Sequence, residues 1–122
     1  MSASVLVVDD DPTILEVLAI HLRNAGYEVR TANDGVDGGY AVLTRRPDLI
    51  ITDVQMPYMD GFELVAALRS DTSVASIPVI MLTSHSEWED RGRQIGVDGY
   101  ITKPIRADRL LAVIAGHLTG ND

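Results

Sequence analysis

The sequence predicts an α/β fold, a doubly wound parallel sheet of five strands with helices on both faces. Short apolar runs and helical stretches alternate five times along the 122 residues, joined by short connections. Val5-Leu6-Val7-Val8, Leu49-Ile50-Ile51 and the run from Ile77 to Leu82 are continuously apolar rather than alternating, as strands buried on both faces are. Right-handed crossovers between parallel strands then distribute the helices over the two faces.

The first strand is expected from Ser4 to Asp9. Asp11 is a helix N-cap, and Pro12 stands at the first helical position, where a missing N–H costs nothing. That helix runs to about Ala25 and stops at Gly26. Tyr27 to Ala32 forms strand two. Helix two starts near Gly35 and ends before Pro47; its Gly38-Gly39 pair costs about 2 kcal/mol relative to alanines. Strand three spans Asp48 to Asp53. After the loop Val54 to Met59, Asp60 caps helix three and Glu63 completes a capping box. Strand four is expected from Ile77 to Leu82. Ser86 and Glu89 form a second box opening helix four, which Gly92 loosens and Gly96 ends. Strand five is Gly99 to Thr102. Helix five begins near Arg106, and Ala107, Leu110, Leu111, Ile114 and Leu118 share one buried face.

Composition narrows the function. A chain of this length is one domain, 1–122, with no second or output domain expected. A net charge of −8 argues against direct nucleic-acid binding and against adhesion to an anionic membrane. The absence of cysteine removes disulfides and thiolate metal sites and suits a reducing compartment. No signal-peptide pattern precedes strand one and no apolar run has membrane-spanning length, so a cytoplasmic protein is expected.

Three strands end in charge. The first runs into Asp9-Asp10-Asp11, the third into Asp53, and the fifth into Lys103, the only lysine beside nine arginines. In a parallel sheet the carboxyl ends of the strands share one edge, where ligands bind. A solvated strand end and a helix cap account for Asp11 but not for Asp9 and Asp10. With strands one and three adjacent, Asp10 and Asp53 come within reach of one Mg²⁺, and a loop carbonyl near Gln55 is a further ligand candidate. Crowded carboxylates raise at least one pKa, and Lys103 offsets their repulsion and meets an incoming phosphoryl group. Thr83-Ser84 ends strand four, and a hydroxyl there can donate to a phosphoryl oxygen or simply cap the strand.

Val8-Asp9-Asp10, then Asp53-Val54-Gln55-Met56-Pro57-Tyr58-Met59-Asp60-Gly61, then Leu82-Thr83-Ser84, then Tyr100-Ile101-Thr102-Lys103-Pro104 together resemble the receiver domain of bacterial two-component response regulators. The resemblance covers nearly the whole chain in order. It implies a flavodoxin-like (βα)5 fold with strand order 2-1-3-4-5. It implies Asp53 as phosphoacceptor, with Asp9, Asp10, Asp53 and the Gln55 carbonyl around Mg²⁺, or Mn²⁺ in its place. Thr83 matches a switch hydroxyl, Tyr100 the aromatic whose rotamer follows it, and Lys103 the lysine that contacts the phosphoryl group. A cis bond joins Lys103 to Pro104 in the family. A histidine kinase or histidine phosphotransfer protein is the implied donor. Signalling runs through the face of helix four, strand five and helix five to a downstream target or output domain, as a monomer or a phosphorylation-dependent dimer.

Some positions depart from that pattern. Tyr58 stands where a small residue such as glycine is frequent. Gln55 and His85 occupy positions that tune the phosphoryl lifetime in the family; His85 reads as a loop histidine rather than a ligand. His21 and His117 read as structural or exposed helix residues. Trp88 reads equally as a partner contact or a half-buried packing residue, and Val113 lends weight to an interaction face on helix five.

Three other readings compete. A Mg²⁺-dependent phosphohydrolase also uses strand-end aspartates and a lysine, but usually needs a cap or long insertions. A pseudo-receiver lacks parts of the set that is complete here. A flavodoxin needs a Ser/Thr/Gly-rich phosphate loop after strand one, and Asp9-Asp10-Asp11-Pro12 has the wrong charge.

Overall fold

The computed structural model describes residues 2–84 and 88–118. Five parallel strands, β1 (Ser4–Val8), β2 (Glu28–Ala32), β3 (Leu49–Asp53), β4 (Val79–Thr83) and β5 (Gly99–Thr102), lie in the order β2-β1-β3-β4-β5. Five helices alternate with them: α1 (Pro12–Asn24), α2 (Gly35–Thr44), α3 (Gly61–Ser70), α4 (Glu89–Ile95) and α5 (Ala107–Leu118). The fold class and strand order are those expected. No helix among the described residues is long and apolar enough to cross a membrane.

The continuous apolar strands have apolar partners on both faces. On one side Leu6, Val8, Ile50, Val79 and Met81 pack against Val42 of α2, Phe62, Leu64 and Val65 of α3, and the half-buried Ile95 of α4. On the other, Val5, Val7, Leu49, Ile51 and Ile80 pack against Leu18 and Leu22 of α1 and Leu110 and Ile114 of α5. Each fully buried Leu or Ile contributes on the order of 1.5–3 kcal/mol of transfer free energy. The Gly38 position explains why α2 carries a glycine in mid-helix. A Cβ there would lie 3.1 Å from a Val8 methyl, so its absence lets α2 approach β1 closely.

The helix starts follow the capping chemistry. The Asp11 carboxylate accepts from the Thr13 amide with Pro12 opening α1. Both bonds of the Asp60–Glu63 box are present at α3. Boundaries differ where local hydrogen bonding wins over hydrophobicity. Strand four begins at Val79 rather than Ile77, because the Ile77 amide donates to Val74 in a turn and Pro78 has no N–H to give. Tyr27 donates to the Leu22 carbonyl and belongs to the turn after α1, which leaves β2 to begin at Glu28. Helix two ends at Thr44, with Arg45 already extended. Helix four begins at Glu89, and its N-cap Trp88 makes no side-chain capping bond. The Ser86 half of the expected box lies outside the described residues, as does His85. Val113 packs half-buried against the core of the α1–α5 face. His21 and His117 are half-buried on α1 and α5.

Candidate functional site

Parallel pairing fixes which side chains meet. Val8 is in register with Thr52, so Asp9 and Asp53 are the next residues of adjacent strands. Thr83 pairs with Thr102 on the other side, and the Lys103 amide continues the ladder by donating to the Thr83 carbonyl at 2.9 Å. Four strand ends therefore deliver Asp9, Asp53, Thr83 and Lys103 to one edge of the sheet. The Lys103–Pro104 bond is cis. Gly61 at the start of α3 lets that helix close on the site, since a Cβ there would overlap the Asp53 carbonyl and lie 3.1 Å from Val54 Cα.

Carboxylate oxygens of Asp9, Asp10 and Asp53 all lie within 4.8 Å of one another. Asp9 is wholly buried, Asp53 nearly so, and Asp10 is exposed. Lys103 Nζ donates to Asp53 Oδ1 at 3.1 Å and sits 3.8 Å from Asp9 Oδ2. Asp9 Oδ1 accepts from the Asp11 amide at 2.9 Å, while its buried Oδ2 has no hydrogen-bond donor. Burial is the main reason the Asp9 pKa rises to about 6; the charges of Asp53 and Asp10 add to the rise, and the Asp11 amide and Lys103 oppose it. Repulsion among the acids is thus real but secondary to desolvation. A buried oxygen without a donor, in a set of hard carboxylate oxygens beside solvent, fits a hydrated divalent cation.

Asp53, Gln55, Thr83, Trp88 and Lys103 line a cavity of about 120 Å³ at this edge. Gln55 is exposed on the loop after β3. Thr83 is almost fully buried. Tyr100 is half-buried on β5, and its hydroxyl donates to the Glu89 carbonyl at 2.9 Å. Burial raises the Tyr100 pKa. Asp9, Asp10, Asp53, Gln55, Thr83 and Lys103 lie at this edge, whereas Tyr100, in register with Met81 further back in the sheet, bonds α4 instead. The part of Trp88 was missed: its packing, edge-on to Phe62 at 6.1 Å between centroids, also makes it a wall of the cavity. Nothing in the spacing of the sequence places residue 88 beside residue 53. Tyr58 adopts φ +70°, which supplies the physical reason a glycine suits that position.

Comparison with known proteins agrees with this fold. The family model described as the response regulator receiver domain matches residues 5–115. The DNA-binding dual master transcriptional regulator RpaA of Synechocystis sp. is 39% identical over 120 residues, covering 97% of this chain and 50% of that protein. The DNA-binding response regulator MtrA of Mycobacterium tuberculosis is 37% identical over 124 residues, 100% of this chain and 53% of that one. The chain spans about half the length of these curated relatives. Among solved structures, the chemotaxis response regulator CheY4 of Vibrio cholerae is 38% identical with a TM-score of 0.92, covering 97% of this chain and 100% of that one. The receiver domain of the sensor histidine kinase PA1611 of Pseudomonas aeruginosa, with a magnesium ion coordinated in its active site cleft, is 27% identical with a TM-score of 0.87, covering 95% and 97%.

Proposed function

Because the chain belongs to the response regulator receiver domain family, we propose that it is a phosphoacceptor, taking a phosphoryl group onto Asp53 from a phosphohistidine of a histidine kinase or histidine phosphotransfer protein. The observation that carries this reading is Lys103 Nζ at 3.1 Å from Asp53 Oδ1, beside the acidic cluster. An Asp53 carboxylate oxygen attacks phosphorus in line as the bond from phosphorus to the histidine nitrogen breaks. Lys103, already at the acceptor, follows the charge onto the phosphoryl oxygens, and the Thr83 hydroxyl donates to one of them. Asp9, Asp10, Asp53 and the Gln55 carbonyl are the groups to hold Mg²⁺, which when bound offsets the carboxylate charge and that of the phosphoryl group. Fixed strand ends keep these groups in place before the donor arrives, so positioning supplies much of the rate.

The unit spans residues 1–122 and signals rather than turns over an external substrate; its chemistry is its own phosphorylation and slow autodephosphorylation. No inserted cap for a small substrate is present among the described residues. Thr83 and Tyr100 are the switch pair through which phosphorylation changes the α4–β5–α5 face. The output is a downstream protein or an appended segment, as the DNA-binding names of RpaA and MtrA suggest. The acidity of the chain leaves contact with nucleic acid to such a partner. We place the protein in the cytoplasm, as a monomer or a dimer formed on phosphorylation.

Borohydride reduction tests the acceptor directly. It converts an aspartyl phosphate to homoserine, which peptide mass spectrometry locates. Homoserine at position 53 is the expected result. Homoserine at another aspartate overturns the assignment.

A further inference from the structure

We infer that Trp88 is the water-excluding wall of the Asp53 pocket, and that Tyr100, seated in the gap left by Gly92, positions it. The inference rests on Asp53 as the phosphoacceptor. Its geometry stands on a run of contacts from α4 to the pocket. Gly92 is buried in α4, and a Cβ on it would overlap the Tyr100 hydroxyl and lie 2.7 Å from ring atom Cζ. Only glycine leaves that space, so the phenol lies down on the helix. From there its hydroxyl donates to the Glu89 carbonyl at 2.9 Å, gripping the first turn of α4. The adjacent residue is Trp88, which lines the pocket with Asp53, Thr83 and Lys103. On its other side the indole meets the buried Phe62 ring at 75°, and the Arg91 guanidinium covers Phe62 at 4.2 Å.

The pocket is small enough for a wall to matter. Its volume is about 120 Å³, so it holds only a handful of waters. A phosphoryl group on Asp53 takes much of this space. Autodephosphorylation requires a water in line with phosphorus: its oxygen bonds to phosphorus as the bond to the Asp53 oxygen breaks, returning the carboxylate and releasing inorganic phosphate and a proton. An indole held against the pocket restricts that approach. Tyr100 and Gly92 touch neither phosphate nor acceptor and act through the indole, so they are positioning residues.

Trp88 is the only tryptophan, which gives a direct readout. Acrylamide quenching of its fluorescence is measured in wild type, Gly92→Ala and Tyr100→Phe, first without phosphorylation. Decay of the acetyl-phosphate-labelled form is then followed by intact mass in these proteins, in Trp88→Ala and in the Trp88→Ala/Gly92→Ala double variant. Gly92→Ala is expected to raise quenching and to speed decay several-fold. Tyr100→Phe, which keeps the ring in its seat but loses the bond to Glu89, shifts both in the same direction by less. The double variant decays no faster than Trp88→Ala alone. Wild-type quenching and decay in both Gly92→Ala and Tyr100→Phe overturn the inference, as does a double variant whose effect is the product of the single ones. Should Gly92→Ala fail to fold, Tyr100→Phe decides alone. Absence of any label on Asp53 overturns the acceptor reading, while the quenching comparison still decides whether Tyr100 sets the place of Trp88.

Discussion

Lys103 Nζ stands 3.1 Å from Asp53 Oδ1, so the single lysine of the chain is spent on the carboxylate that ends the central strand. The same ammonium lies 3.8 Å from Asp9 Oδ2. One cation therefore balances two buried acids, and the phosphoryl group would arrive where its charge is already opposed.

Replacing this lysine tests the balance. Lys103→Met is expected to remain folded and to lower the phosphorylation rate by about 10²–10³-fold, the usual loss when one charge-stabilising donor is removed. Lys103→Arg is expected not to restore it, because a planar guanidinium with donors in a fixed fork does not reproduce a compact ammonium 3.1 Å from Asp53 Oδ1. Initial rates with acetyl phosphate check both.

Asp9 predicts a pH dependence of the metal-free protein. Its folded pKa of about 6 lies above the ordinary 3.8, so between these values the folded state holds more proton than the unfolded one. Stability therefore falls as pH rises through that window, and the cost is complete above it. Asp9→Asn removes the cost. In EDTA it should gain up to about 3 kcal/mol above pH 6 and nothing below pH 4. Urea unfolding at the two pH values measures this. With Mg²⁺ present the advantage should shrink or reverse, because the variant has lost a metal ligand.

Tyr58 is 87% exposed yet holds φ +70°. Its ring therefore recovers little burial energy against the backbone strain. Tyr58→Gly should stabilise the protein by about 1 kcal/mol, read from the urea midpoint.

Arg69 joins α3 to the segments that lead into the amino-terminal ends of β4 and β5. Its guanidinium donates to the carbonyls of Ala75, Ile77 and Gly96 and pairs with Asp98 at 2.9 Å. Arg69→Ala strands these carbonyls and should cost about 2–4 kcal/mol. Arg69→Lys should recover less than half, since one ammonium cannot reach the same fan of acceptors. Thermal and urea unfolding test both variants.

These residues also mark how far the sequence could be read. The strand ends Asp9, Asp53 and Lys103 were legible because parallel topology gathers carboxyl ends at one edge, whatever the details of packing. The caps Asp11 and Asp60 were legible because their hydrogen bonds are local. Arg69 was not, because its acceptors are carbonyls from 6 to 27 positions away, and a carbonyl carries no side-chain signature. Gly92 read as a weakness of helix four; the structure gives it a neighbour, Tyr100, from a different strand. The start of β4 was misplaced for a related reason: Ile77 is buried like a strand residue but donates its amide to a turn.

The central claim is that Asp53 accepts a phosphoryl group with the help of a divalent cation. Intact mass after incubation with acetyl phosphate, with and without Mg²⁺, on wild type and Asp53→Asn, tests it most directly. Wild type with Mg²⁺ is expected to gain one phosphoryl group, and wild type without Mg²⁺ and Asp53→Asn are expected to gain none. Equal gain in Asp53→Asn, or no gain in wild type together with no beryllofluoride complex at a folded, Mg²⁺-loaded site, would contradict it.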